Sequence, residues 1–172
     1  SRMDDIARIE VLNPREEAGE PVADLRVRSA PLQGVTVGPE LIPQTIDEFP
    51  ILCVAAAVAE GDTVISGAEE LRVKESDRIA TMATELRSMG ACIDERPDGM
   101  VIHGLGRAGQ NGRLTGATCS SHGDHRVAMS VAIGALTAQT PTVVEDTACI
   151  ETSFPRFEDK LLELLTEHGK GL

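Results

Sequence analysis

A chain of 172 residues can bury one respectable core, and its 16 Lys and Arg against 28 Asp and Glu leave a net charge of −12. That balance argues against a nucleic-acid partner, and with three Phe and no Tyr or Trp there is no stacking platform for bases or sugars. No apolar run nears membrane-spanning length and no signal peptide opens the chain, so a cytoplasmic protein without a membrane partner is expected.

In chain order, Ile9 to Leu12 and the alternating Leu25-Arg26-Val27-Arg28 read as a β-hairpin. Asp47 is placed to cap an Ala-rich helix over 47–60, with Pro50 in its first turn and Gly61 closing it. A short strand (63–66) leads to Leu71-Arg72-Val73-Lys74-Glu75-Ser76-Asp77-Arg78, read as the opening turn of a helix over 75–89. Ile79, Met82, Ala83, Leu86 and Met89 then recur at helical spacing, and Gly90 is placed to end the helix. Ala91 to Glu95, an Asp98-Gly99 turn and Met100 to His103 predict a second hairpin. Gly104 to Gly116 is a connector rather than a phosphate loop, because no G-K-[ST] follows.

The second half starts with Asp124-His125-Arg126, opening a helix over 125–138 that is apolar nearly all round and so buried. Asp124 can cap it. A strand (142–145) and an amphipathic helix (154–168) follow. Thr63 to Gly90 aligns without a gap with Thr142 to Gly169, and both stretches show the same order of elements. The division expected is a partial domain: closing strands of a first unit (1–38), a second unit (39–112) and a truncated third (113–172). Cys53, Cys92, Cys119 and Cys149 form no C-x-x-C pair, and Cys53 and Cys149 lie in apolar surroundings as small core residues. With His103, His122 and His125 they give no usual zinc spacing, so no metal is expected.

The chemistry is carried by cations placed where a helix repels them. A helix N-terminus is partially positive, yet Lys74 and Arg78 stand at one predicted start and His125 and Arg126 at another. A bound phosphate or carboxylate would reverse that cost at both places, whereas local salt bridges at a solvated helix start would also account for either one. Glu75 shares a face with Arg78, and Asp47 supplies a second carboxylate. An acid, a base and anion clamps suit proton-coupled chemistry on phosphorylated or carboxylated substrates.

Leu71-Arg72-Val73-Lys74-Glu75-Ser76-Asp77-Arg78 and Asp124-His125-Arg126-Val127-Ala128-Met129 resemble the two signature segments of the 3-phosphoshikimate 1-carboxyvinyltransferase (EPSP synthase) family. Asp47-Glu48-Phe49-Pro50 and Thr152-Ser153-Phe154-Pro155 resemble two more, in the same order. The resemblance runs from about Ile9 to the end and covers only the C-terminal part of the longer family enzyme. It implies an α/β fold of repeated βαβαββ units, helices inside and sheets outside, with this chain an incomplete domain that the enzyme's N-terminal part helps complete. It also implies transfer of the carboxyvinyl group of phosphoenolpyruvate to the 5-hydroxyl of shikimate 3-phosphate, with no cofactor. Carried over by motif, Glu75 would exchange a proton with the methylene carbon and Asp47 would accept from the shikimate hydroxyl. Lys74 would meet the shikimate 3-phosphate, Arg78 and Arg126 would hold phosphoenolpyruvate, and His125 would be a nearby polar contact. Thr152 and Glu70 depart from the family, where many members carry Lys and some Asn. A UDP-N-acetylglucosamine carboxyvinyltransferase-like enzyme shares the implied fold but lacks this R-V-K-E-S-D-R segment. A non-catalytic anion-binding module on the same scaffold is the alternative from another class.

Overall fold

A computed structural model describes residues 9–106 and 112–168. Part of the Gly104 to Gly116 connector, and Gly169, lie outside these described residues.

The first hairpin is longer than its apolar pattern suggests: β1 (Ile9–Glu17) and β2 (Glu20–Val27) pair antiparallel around Ala18 and Gly19. Next come β3 (Thr36–Val37), a one-turn α1 (Ile42–Thr45), α2 (Phe49–Val58) and β4 (Asp62–Ile65). A 3₁₀ turn (Glu69–Val73) precedes α3 (Arg78–Ser88), and β5 (Cys92–Arg96) and β6 (Gly99–His103) close the unit. The sheet order is β3-β4-β6-β5, with β3 and β4 parallel and the other neighbours antiparallel. This is one complete βαβαββ unit. β3 hydrogen-bonds into this sheet, although it precedes the boundary expected at 38. The same plan restarts with β7 (Thr118–Ser120), α4 (His125–Ala135) and β8 (Val143–Glu145), where β7 and β8 pair in parallel. A 3₁₀ turn (Thr147–Thr152) and α5 (Phe157–His168) follow.

Three local expectations are corrected. Residues 71–77 do not open α3, because Leu71–Val73 end a separate 3₁₀ turn, Lys74 is extended and Asp77 caps α3 by accepting from the Ala80 N–H at 3.0 Å. Lys74 therefore lies outside the helix, and Arg78 is the first helical residue. The second hairpin turns at Pro97 and Asp98, with Gly99 already in β6 and facing Arg96 across the ladder. Cys119, not Cys149, joins Cys53 in the core: β7 carries it inward, while Cys149 sits partly exposed in a 3₁₀ turn.

The periodic stripe of α3 is buried as expected, with Ile79, Met82, Ala83, Leu86 and Met89 all excluded from water. It packs with Phe49, Cys53 and Ala57 of α2, Val127 and Val131 of α4, and Ile65, Met100 and Ile102 of the sheet. α2 and α4 approach closely because Gly134 has no side chain: a Cβ there would stand 3.3 Å from a Val54 methyl. Gly90 takes φ +87° and lets the Ala91 N–H reach the Leu86 carbonyl at 2.9 Å, which ends α3. In contrast, Ile9, Val11, Leu25 and Val27 on the first hairpin and Leu162, Leu164 and Leu165 on α5 remain exposed. Among the described residues no helix is long and apolar enough to cross a membrane.

Candidate active site

Arg78 is the hub of the site. It opens α3 with its side chain 1% exposed, and each of its three nitrogens meets a different carboxylate. Nε donates to Asp124 Oδ2 at 2.8 Å, Nη2 to Glu75 Oε2 at 2.6 Å and Nη1 to Asp47 Oδ1 at 3.3 Å. Burial works against the guanidinium charge, but the bonds and charges of Asp124, Glu75 and Asp47 outweigh it and raise the group's pKa. Asp124 is fully buried at the N-cap of α4, where its Oδ1 accepts from the N–H groups of Arg126 and Val127. Burial alone would raise its carboxyl. Arg78 and those two N–H groups prevail and hold it below the usual carboxylate range. Ser76 adds a hydroxyl donor to the same carboxylate at 3.2 Å.

Asp47 does not cap α2. Glu48 occupies the N-cap position without a side-chain cap bond, and Asp47 turns toward the arginines instead. Its Oδ2 lies 3.1 Å from Arg126 Nη2, and its backbone carbonyl accepts from Arg126 Nη1 at 3.2 Å. Asp47 and Glu75 are each half exposed, so two carboxylates reach solvent on either side of one buried guanidinium. Three carboxylates here share two arginines, leaving the cluster net negative. Both arginines are thus paired with acidic side chains, and an incoming anion has to displace or outcompete a carboxylate.

The remaining expected residues stand around this core. Lys74 is paired with Glu70 at 2.6 Å, an exposed contact that solvent keeps weak. His125 begins α4, half-buried beside Arg126. Thr152 ends its 3₁₀ turn and donates to the Cys149 carbonyl at 2.7 Å, so its hydroxyl serves the local backbone. A cleft of about 240 Å³ between α2 and α4 is lined by Asp47, Glu48 and Arg126 together with Ile51, Met129 and Ile133. Among the described residues no group of three or more His, Cys, Asp or Glu is arranged to hold a metal ion.

Sequence reasoning missed two features. Asp124 was legible as a cap, but its bond to Arg78 joins positions 46 residues apart. Glu85 is a buried acid on the inner face of α3 and meets the β7–α4 turn. Its position among the apolar residues of the stripe was the available signal.

Comparisons with known proteins place the chain in a family. The family profile described as EPSP synthase (3-phosphoshikimate 1-carboxyvinyltransferase) matches residues 5–161. The chain belongs to the EPSP synthase family. A 3-phosphoshikimate 1-carboxyvinyltransferase from Geobacter sulfurreducens is 56% identical over 149 residues, which is 87% of this chain and 33% of that protein. Its counterpart from Desulforudis audaxviator is 53% identical over 161 residues, covering 94% of this chain and 36% of that protein. A solved EPSP synthase from Acinetobacter baumannii superposes with a TM-score of 0.85 at 41% identity, over 91% of this chain and 36% of that chain. The chain therefore spans about a third of the length of the EPSP synthases it matches. Its α/β architecture of βαβαββ repeats is that of EPSP synthase structures.

Proposed function

We propose that this chain supplies part of the active site of an enzyme that transfers the carboxyvinyl group of phosphoenolpyruvate to the 5-hydroxyl of shikimate 3-phosphate, releasing phosphate. The observation that carries this reading is the convergence of Asp47 and Glu75 on the buried Arg78, with Arg126 at the edge. An enol phosphate becomes electrophilic at its substituted carbon when its methylene carbon is protonated, so an acid has to be held there. Glu75 gives that proton and takes one back when phosphate leaves, while Asp47 accepts from the attacking hydroxyl. Arg126 and Arg78 balance the phosphate and carboxylate charges of phosphoenolpyruvate, and Lys74 meets the phosphate of the acceptor in exchange for Glu70. His125 adds a polar contact at the start of α4.

The cluster's charge also supports the division of labour. With two arginines against three carboxylates, an entering dianion has to displace a carboxylate, and Asp47 and Glu75 are the half-exposed ones. We read the chain as closing strands of a first unit, a second unit and a truncated third, with the expected divisions 1–38, 39–112 and 113–172 shifted only so that β3 opens the second unit. The repeated order of helices and strands supports this. The exposed apolar residues of β1, β2 and α5 fit surfaces that the rest of a longer protein covers. Four free cysteines suit a reducing compartment, the cytoplasm.

The test is a chimera in which this chain replaces the matching third of the Geobacter sulfurreducens relative, assayed for phosphate release with both substrates. Activity that Glu75→Gln reduces to below about a tenth, with folding unchanged, supports the assignment. An inactive chimera that folds and binds neither substrate refutes it.

A further inference from the structure

We propose that Glu85 and His122 form a positioning pair that sets where the N-terminus of α4, and with it Arg126, stands relative to Arg78. The proposal rests on the functional reading above and assigns two residues that it does not use. Glu85 lies on α3 seven residues after Arg78, so the two side chains leave the helix on one side, two turns apart. Glu85 is 5% exposed, and its two oxygens go to the end of β7 and the turn that follows it. Oε2 accepts from the Ser120 N–H at 3.1 Å and Oε1 pairs with His122 Nε2 at 2.7 Å. A carboxylate only accepts, so Nε2 of His122 carries the proton in this bond.

The turn in question links β7 to α4. His122 and Gly123 are successive left-handed residues, at φ +53° and +73°, which reverses the chain within a few positions. Ser121 Oγ accepts from the Gly123 N–H at 3.0 Å and donates to the Asp146 carbonyl at 2.8 Å, fixing the turn to the end of β8. The turn ends in Asp124, which binds Arg78 and caps α4. Helix α3 thus grips the turn twice: Arg78 holds its last residue and Glu85 holds Ser120 and His122. With the turn fixed at both ends, α4 has one position along α3, and Arg126 meets Asp47 there. A buried acid is costly to desolvate, and an apolar side chain would fill the same space without that cost. The bonds of Glu85 to Ser120 and His122 serve the segment that leads into the cap and the arginine.

The experiment is a titration of the ¹⁵N-labelled chain with inorganic phosphate, well below its melting temperature, following the Arg126 Nε–H and Ser120 amide signals. Glu85→Ala and His122→Asn are expected to weaken phosphate binding by roughly three- to tenfold, with Glu85→Gln between them and wild type. Asn suits the left-handed position, so His122→Asn removes the ring without straining the turn. Ile93→Val, a core change in β5 away from the turn, should lower the melting temperature and leave the affinity alone. If Glu85→Ala does not fold, Glu85→Gln and His122→Asn decide. Variants that bind phosphate within about twofold of wild type, or an equal loss in Ile93→Val, overturn the positioning role alone. If phosphate leaves Arg126 unperturbed even in the wild-type chain, the anion site fails and the positioning role fails with it.

Discussion

Arg78 Nε donates to Asp124 Oδ2 at 2.8 Å, joining residues 46 positions apart, and neither side chain is more than 1% exposed. One bond thereby ties the first residue of α3 to the cap of α4, so both halves of the site share a single anchor. A buried ion pair of this kind adds little over an apolar pair, but removing Asp124 leaves the buried guanidinium with only its half-exposed partners, Glu75 and Asp47.

Asp124→Asn is accordingly expected to cost about 1.5–3 kcal/mol in urea unfolding, although Asn still caps a helix well. The folded carboxyl is held below its usual value. Its contribution is present above the unfolded pKa, about 3.9, and is lost as pH falls through the folded value. Wild type should therefore lose stability on acidification below about pH 4 more steeply than Asp124→Asn. Parallel acid titrations of the two would assign the loss to another group.

His103 gives the opposite sign. It stands on β6 with Nε2 at 3.0 Å from Asp94 on β5 and Nδ1 at 3.0 Å from Asp62 on β4, stitching three strands together. Asp94 and Asp62 raise its pKa above the ordinary 6.5, against a small effect of burial. The stabilisation is complete below the unfolded pKa and disappears as pH rises through the folded one. Melting curves of wild type and His103→Gln should differ most near pH 5.5 and converge by about pH 9. An unchanged difference across that range would show that the stitch acts without the imidazolium charge.

Asp47 competes with any anion for Arg126. Asp47→Asn should therefore bind inorganic phosphate several-fold more tightly in the isolated chain, by about 0.5–1 kcal/mol for a half-exposed pair, and be inactive in the chimera. Calorimetry on the chain and turnover of the chimera measure the two effects separately. Tighter phosphate binding with full turnover would mean that Asp47 only screens the arginine.

The chain by itself is expected to fold around α2, α3 and α4 and yet release no phosphate from the two substrates. Asp47 and Glu75 are half exposed, and near-attack positioning of two polyanions requires a site closed to water. Sustained phosphate release that Glu75→Gln abolishes would make this third of the family enzyme sufficient for catalysis.

Much of the fold was legible along the chain because its cues are local. The stripe from Ile79 to Met89, the Gly90 stop and the Asp124 cap each act within a turn or two of helix, and all three are present. β3 and β7 escaped notice because strands of two and three residues carry almost no alternation, and their pairing partners lie 20 or more residues away. The opening of α3 was placed too early for a similar reason. A 3₁₀ turn followed by an extended Lys74 has the composition of a helix start, and only the Asp77 cap bond fixes the true one.

The sequence by itself determined which side chains could do chemistry: two acids, Asp47 and Glu75, and the cations Lys74, Arg78 and Arg126, each in a short motif. Only the tertiary structure decided that Asp47, Glu75 and Asp124 meet on one guanidinium, that Asp47 is a partner of Arg126 rather than a cap, and that Glu85 holds the turn before α4. The reason is physical. Helix periodicity and capping are set by neighbours a few residues apart, whereas a buried charge finds its partner wherever folding brings one within hydrogen-bond reach.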